Sequence, residues 1–126
     1  MTGQRILVVD DEPRMAAALA DILRMGGYEV DTATSGAEAL DRLDRQPYAA
    51  VLTDVRMPHL DGPGLFREIE RRHPTLRDRV VFITGDTARA ELREFLGESR
   101  APIIEKPIRI DDVLQVVERL LGGKTR

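Results

Sequence analysis

Short apolar runs alternate with amphipathic stretches along the chain, a pattern typical of β-α units that build a parallel sheet covered on both faces. Five runs have the length of buried strands: ILVV at 6–9, YEVDTA at 28–33, AAVLT at 49–53, VVFIT at 80–84 and APII at 101–104. The pattern therefore predicts an α/β fold with a five-stranded parallel sheet and helices on both faces.

The stretches between these runs carry the apolar periodicity of amphipathic helices. We predict five helices: one on the stripe of Met15, Leu19, Ile22 and Leu23, one through Leu43, and three over 63–72, 88–96 and 110–121. Gly26 and Gly27 are expected to end the first helix by supplying residues of positive φ. Ser35 and Glu38 have the spacing of a capping box that opens the second helix. The pair His73-Pro74 is expected to stop the third.

Length, charge and cysteine content narrow the class of protein. The 126 residues suit one domain, which we place over 1–122, with a flexible tail over 123–126. Lys and Arg number 19 against 22 Asp and Glu, and the net charge of -3 predicts no nucleic-acid surface. The absence of cysteine excludes disulfides and thiolate metal sites. No apolar run approaches the roughly 20 residues of a membrane span, and the start lacks signal-peptide zones, so we expect a cytoplasmic protein without direct membrane contact.

Polar residues follow the strands of the predicted sheet at the points where the strands end. Asp10 and Asp11 follow ILVV, Asp54 follows AVLT, Thr84 follows VVFI, and Lys106 follows PIIE. Ligand sites of open parallel sheets form beyond the carboxyl ends of the strands, at the point where strand order reverses. We therefore expect these five residues, remote in sequence, to converge on one edge of the sheet.

The chemistry of this set points to phosphoryl transfer. Three carboxylates that lie together repel one another, which raises their pKa values unless a cation joins them. Hard oxygen ligands suit Mg²⁺, which offsets the repulsion between a carboxylate nucleophile and a phosphoryl group. Lys106 adds a point charge for a phosphoryl oxygen, and the Thr84 hydroxyl can donate a hydrogen bond to another. The set therefore predicts an aspartyl phosphate.

Four segments in this order, VVDDE at 8–12, TDVRMPHLDG at 53–62, FITG at 82–85 and EKPI at 105–108, resemble the receiver domain of bacterial two-component response regulators. The resemblance covers essentially the whole chain. It implies a doubly wound, flavodoxin-like fold with strand order 2-1-3-4-5.

The resemblance also implies a role for each site residue. Asp54 would be the phosphoacceptor, and Asp10 and Asp11 the acid pair. Mg²⁺ would be bound by this acidic group together with Asp54 and the backbone carbonyl of Arg56. Thr84 and Lys106 would bind the phosphoryl group, and the Lys106-Pro107 bond would be cis.

A receiver of this kind implies a signalling role for the chain. The phosphoryl donor would be a histidine kinase, a histidine phosphotransfer protein or a small molecule such as acetyl phosphate. The domain would catalyse its own phosphotransfer and dephosphorylation without being a conventional enzyme, and its output would be a shift between two surface states. A phosphorylation-dependent homodimer is one expected assembly.

The context of the domain leaves two interpretations. The chain ends after the predicted fifth helix, so we expect no DNA-binding or enzymatic output domain. It is then a stand-alone regulator or the C-terminal receiver of a hybrid histidine kinase. The segment from 80 to 108 resembles receivers of hybrid kinases, which slightly favours the second.

Two features depart from the common receiver pattern. Ile103 occupies the position, three residues before the lysine, where many receivers carry Tyr or Phe, so the usual aromatic switch is missing. Arg56 and Asp86 are each two residues beyond a site residue. We hypothesise that they pair at the mouth of the site and slow hydrolysis of the aspartyl phosphate.

His59 and His73 lack metal-ligand spacing and are predicted to be structural.

Other functions remain open from the residues alone. Each acidic residue by itself is more typical of a turn or helix cap than of chemistry. A phosphohydrolase of the haloacid-dehalogenase type would need an acid two residues after its nucleophile, and Glu12 follows Asp10 at that spacing whereas Arg56 follows Asp54. A degenerate receiver that only binds partners is opposed by the presence of the full residue set. A flavodoxin-like cofactor binder would need a phosphate loop after ILVV, which is absent.

Overall fold

The fold is a five-stranded, wholly parallel sheet in the order β2-β1-β3-β4-β5, as the resemblance implied. A computed structural model describes residues 4–85 and 90–122, apart from the side chains of residues 90 and 91. The strands are β1 Arg5–Val9, β2 Glu29–Ala33, β3 Ala50–Asp54, β4 Val80–Thr84 and β5 Ile103–Glu105. The helices are α1 Pro13–Met25, α2 Gly36–Arg45, α3 Gly62–Arg72, α4 Ala90–Ser99 and α5 Ile110–Leu120, with a short 3₁₀ helix over Pro74–Arg79.

Apolar side chains alternate between the two faces of the sheet. Ile6 and Val8 of β1 pack in one buried cluster with residues of α1 and α5, whereas Leu7 and Val9 pack in a second with residues of α2, α3 and α4. Both faces are covered, which explains why the central strands β1, β3 and β4 are continuous apolar runs rather than alternating ones. The predicted doubly wound architecture is confirmed.

Local sequence signals explain the helix ends, with one correction. The Ser35 Oγ accepts a hydrogen bond from the Glu38 N–H at 3.0 Å, which confirms Ser35 as the cap of α2. The Glu38 carboxylate accepts from the N–H of Thr34 at 2.9 Å, one residue before the cap, so the returning bond differs from that of a regular capping box. At the end of α1, Gly27 has φ 94, but Gly26 has φ -81. The expectation of positive φ at both glycines was wrong, because one left-handed residue suffices to end the helix.

Several element bounds differ from the predictions. Helix α2 continues to Arg45, two residues past Leu43, and α4 continues to Ser99, whereas residues 88 and 89 lie outside the described part of the chain. Strand β5 begins at Ile103, because Arg100 takes φ 60 and Pro102 has no N–H to donate to the ladder. The 3₁₀ helix after α3 was not predicted. The tail over 123–126 also lies outside the described residues.

Strand register brings the carboxyl ends together. Val9 of β1 is paired with Thr53 of β3, Asp54 with Ile83 of β4, and Thr84 with Glu105 of β5. The connections leave β1 and β3 in opposite directions, toward β2 on one side and β4 on the other, so strand order reverses there. A crevice for a ligand is expected at this point.

Candidate phosphoacceptor site

Three carboxylates meet at this switch point. Asp54 is the last residue of β3, and Asp10 and Asp11 directly follow β1. One carboxylate oxygen from each lies within 4.8 Å of the other two. Asp10 is 1% exposed and Asp54 7% exposed, while Asp11 reaches solvent. The acidic cluster therefore has two buried members and one at the mouth.

The buried Asp10 side chain is only half satisfied by protein donors. Its Oδ1 accepts a hydrogen bond from the Glu12 N–H at 2.9 Å, while the backbone N–H of Asp10 donates to the Ala33 carbonyl at 3.0 Å. Its Oδ2 is buried without a hydrogen-bond partner among the described residues. A buried charged oxygen without a donor is costly, and a cation is the natural partner for it. The cluster thus fits a small divalent cation bound by oxygen ligands.

Lys106, which directly follows β5, also reaches the acidic cluster. Its Nζ lies 3.3 Å from the Asp54 Oδ1, and its backbone N–H donates to the Thr84 carbonyl at 2.9 Å. The Lys106-Pro107 peptide is cis, as the resemblance implied. Thr84 ends β4 and is 3% exposed. The strand ends therefore place a hydroxyl residue and an ammonium group beside the acidic cluster.

Burial sets the electrostatics of the acidic residues. It raises the pKa of the Asp54 carboxyl, and the Lys106 ammonium opposes that rise. It also raises the pKa of the Asp10 carboxyl, which the Glu12 N–H opposes and the nearby charge of Asp54 reinforces. A cation bound between these groups would relieve both effects.

The loop that follows Asp54 is held close to the strand by a glycine. The Gly62 N–H donates to the Val55 carbonyl at 2.9 Å. A Cβ at Gly62 would lie 2.7 Å from the Asp54 carbonyl oxygen, which is closer than a side chain allows. Asp61 caps α3 by accepting a hydrogen bond from the Gly64 N–H at 2.9 Å. The Asp61-Gly62 pair therefore fixes the course of the loop behind Asp54.

Comparison with known proteins settles the family. The family described as "Response regulator receiver domain" matches residues 6–118. The chain belongs to this family. Receiver domains are signalling modules, so the phosphohydrolase and flavodoxin-like alternatives lose their support.

Relatives of the receiver differ widely in length. The response regulator receiver protein CpdR of Brucella abortus (strain 2308) is 33% identical over 118 residues, 94% of this chain and 97% of that protein. The sensor histidine kinase RcsC of Salmonella typhi is 36% identical over 112 residues, 89% of this chain and 12% of the kinase. Among solved structures, the receiver domain of a signal transduction histidine kinase from Syntrophus aciditrophicus is 31% identical with TM-score 0.86, covering 98% of this chain and 94% of that one. Across residues 4–85 and 90–122, no helix combines the length and apolarity of a membrane span.

The receiver brings together four of the residues predicted at the strand ends, Asp10, Asp11, Asp54 and Lys106. The fifth, Thr84, ends β4, where its carbonyl accepts a hydrogen bond from the Lys106 N–H. Arg56 lies in the loop after Asp54 and lines a surface cavity of about 320 Å³. The other residues that line this cavity are Val55, Asp61, Pro63, Arg67, Leu92 and Phe95. The role of the Arg56 carbonyl as a metal ligand stays a prediction. Asp86, its hypothesised partner, lies outside the described residues.

The other residues that the sequence analysis singled out are His73, His59 and Ile103. His73 caps the end of α3, and its Nε2 lies 2.8 Å from the Asp44 Oδ1, so it joins α3 to the end of α2. His59 sits in the loop before α3 with φ 66. Ile103 is 39% exposed on β5. Sequence reasoning missed Thr53, whose only signal was a hydroxyl in an otherwise apolar strand.

Neutralising the buried Asp10 is expected to stabilise the metal-free receiver at neutral pH. Its folded pKa is raised above the ordinary value of 3.8, so the folded protein keeps this proton to higher pH than the unfolded chain does. The stability that protonation provides is then lost as pH rises from the ordinary pKa through the raised one. Asp10→Asn removes the charge, and its free energy of unfolding should exceed the parent's at pH 7 by on the order of 1 kcal/mol.

Urea unfolding in EDTA checks this expectation at two pH values. The difference between Asp10→Asn and the parent should shrink below about pH 4, where the parent carboxyl is protonated in both states. A variant that is less stable than the parent at pH 7 would show that the charge is compensated within the protein.

Proposed function

We propose that the receiver accepts a phosphoryl group from a histidine kinase or a histidine phosphotransfer protein on Asp54, in a Mg²⁺-dependent reaction, and changes conformation as a result. The observation that carries the proposal is the surroundings of the Asp54 carboxylate. It ends β3 with the Lys106 Nζ at 3.3 Å and two further carboxylates within 4.8 Å. Family membership supports the same assignment.

The ligands of Mg²⁺ would be Asp10, Asp11, Asp54 and the backbone carbonyl of Arg56. Support comes from the acidic cluster and from the buried Oδ2 of Asp10, which has no hydrogen-bond partner in the described part of the chain. A bound Mg²⁺ would supply positive charge that offsets the repulsion of the acceptor carboxylate and the phosphoryl oxygens.

The residues of the chain supply the rest of the reaction. A carboxylate oxygen of Asp54 bonds to phosphorus as the bond from phosphorus to the donor nitrogen or oxygen breaks, so one phosphoryl group is transferred. Lys106 pairs with Asp54 before transfer and is placed to move its charge to a phosphoryl oxygen afterwards. The Thr84 hydroxyl binds a second phosphoryl oxygen. The burial of Asp54 limits access of water to the acyl phosphate.

The output of the receiver is a population shift between surface states, with a homodimer as one result of phosphorylation. Because β5 carries Ile103 where many receivers have an aromatic residue, the shift proceeds without that switch. Pairing of Arg56 with Asp86, and its slowing of dephosphorylation, stays a prediction. The division into a domain over 1–122 and a tail over 123–126 is also part of the proposal.

The molecular context of the receiver covers two cases. CpdR matches over nearly its full length and RcsC over a small part, so both a stand-alone regulator and a hybrid-kinase receiver are consistent with the relatives. The slight preference for the hybrid kinase stays a prediction. In either case we propose a cytoplasmic domain that contacts a phosphohistidine protein and neither nucleic acid nor membrane directly.

Intact-protein mass spectrometry after incubation with acetyl phosphate tests the proposed function. The receiver should gain one phosphoryl group with Mg²⁺ and none with EDTA. A reaction with a histidine kinase or histidine phosphotransfer protein, prepared as its phosphohistidine form, serves as a second donor. No adduct from either kind of donor, in protein shown to be folded, would contradict the proposal.

A further inference from the structure

The peptide unit that joins Asp54 to Val55 is held at both of its polar groups. Its N–H, from Val55, donates to the Ile83 carbonyl at 3.1 Å. Its carbonyl, from Asp54, accepts a hydrogen bond from the Thr53 hydroxyl at 3.0 Å. Because the peptide unit is planar, these two bonds together fix the rotation of the whole unit directly behind the acceptor carboxylate.

Thr53 is an unexpected residue at its position. It is 0% exposed, and strand alternation places it on the same side of β3 as Val51 and Val55, which lie in the apolar cluster with α2, α3 and α4. A buried hydroxyl is costly unless it is hydrogen-bonded, and valine would fill nearly the same volume without that cost. The Thr53 hydroxyl donates its hydrogen bond to the Asp54 carbonyl, and this bond offsets the cost of a polar group among apolar side chains.

Gly62 packs closely against the same Asp54 carbonyl. An added Cβ would come within 2.7 Å of the Asp54 oxygen and 2.8 Å of the Val55 Cα. The Gly62 N–H also holds the Val55 carbonyl, so the next peptide unit is fixed as well. The chain is thus restrained from the acceptor to the start of the Arg56 loop.

We infer that Thr53 is a positioning residue for the acceptor. Its hydroxyl sets the orientation of the Asp54–Val55 peptide, and with it the direction in which the Asp54 carboxylate faces Lys106 and the acid pair. The inference rests on the proposed phosphoacceptor role of Asp54. Displacement of a reacting group by about 1 Å can lower a rate on the order of a hundredfold, so a small rotation at this peptide is sufficient to matter.

Two substitutions separate the hydroxyl from the shape of Thr53. Thr53→Val removes the hydroxyl at similar volume, whereas Thr53→Ser keeps the hydroxyl and removes the methyl group. We expect the initial rate of phosphorylation by acetyl phosphate with Mg²⁺ to fall by about tenfold in Thr53→Val and to stay within about twofold of the parent in Thr53→Ser. Thr32→Val, the same change in the edge strand β2, should match the parent.

Amide hydrogen exchange separates a local change at the Asp54–Val55 peptide from a general loss of stability. The Val55 amide should exchange faster in Thr53→Val than in Thr53→Ser or the parent, while the amides of Ile6 and Leu7 in β1 stay protected. Equal phosphorylation rates in Thr53→Val and the parent, or a Thr53→Ser protein as slow as Thr53→Val, would overturn the inference.

A measurement on the parent protein covers the case in which Thr53→Val does not fold. A hydrogen-bonded, buried hydroxyl should give a slowly exchanging Thr53 proton in the NMR spectrum of the parent. Absence of that signal would overturn the inference. Failure of the parent to accept a phosphoryl group would instead reject the proposed function, while the hydroxyl and amide signals would still report whether the peptide is held.

Discussion

Asp54→Asn is expected to abolish phosphoryl uptake by the receiver. The substitution keeps the size of the side chain but replaces the carboxylate nucleophile with an amide, which does not attack phosphorus at a useful rate. Intact mass after incubation with acetyl phosphate and Mg²⁺ should show the adduct in the parent and none in the variant. The expected loss is complete rather than partial, because the proposed function assigns the two other carboxylates of the cluster to the cation and only Asp54 to the phosphoryl group.

The matched control for this prediction is Asp41→Asn. Asp41 lies on the exposed face of α2, where it pairs with Arg45 at 3.1 Å, and it is not a member of the acidic cluster. This variant should be phosphorylated like the parent. Phosphorylation of Asp54→Asn at the parent rate would mean that another residue accepts the group, and Asp10 would be the first to examine.

Lys106→Ala is expected to slow phosphorylation by about a hundredfold, the usual cost of removing one fixed group that stabilises developing charge. The ammonium lies 3.3 Å from the Asp54 carboxylate, and in the proposed reaction it follows the charge onto a phosphoryl oxygen. The rate of adduct formation, measured by mass spectrometry at saturating Mg²⁺, provides the test. The substitution leaves the acidic cluster intact, so Mg²⁺ binding measured by calorimetry should be retained.

Removal of an exposed cation elsewhere controls for net charge. Arg45→Ala removes one positive charge from α2 and should leave the rate of adduct formation unchanged. An equal loss in both variants would mean that the receiver responds to overall charge, and a Lys106→Ala protein as fast as the parent would exclude Lys106 from the reaction.

Most of the fold was predictable because its strands are strongly specified. Runs such as ILVV and VVFIT are buried on both faces, so every position in them is apolar or nearly so. A short, continuous apolar run of this kind is typical of a strand in a parallel sheet. The convergence of Asp10, Asp54 and Lys106 was predictable for a topological reason, since parallel strands end at one edge. The Ser35 cap of α2 is local in sequence and was therefore equally predictable.

Features that depend on three-dimensional contact were not predictable. The start of β5 depends on the turn at Arg100, and the 3₁₀ helix depends on the burial of Leu76 against the core. The Tyr48 hydroxyl donates to the Asp31 carboxylate at 2.6 Å across 17 positions in sequence, a pairing no local pattern encodes. The Thr53 hydrogen bond depends on a side-chain rotamer, and the hydroxyl alone does not reveal it.

The most direct test of the central claim is to locate the phosphoryl group in the phosphorylated receiver that carries no substitution. Reduction of the phosphorylated receiver with borohydride converts an aspartyl phosphate to homoserine, which peptide fragmentation can assign to one position. We predict homoserine at Asp54 alone, only in samples prepared with Mg²⁺. Homoserine at Asp10 or Asp11, or a phosphoryl group on a residue other than aspartate, would contradict the account of this site.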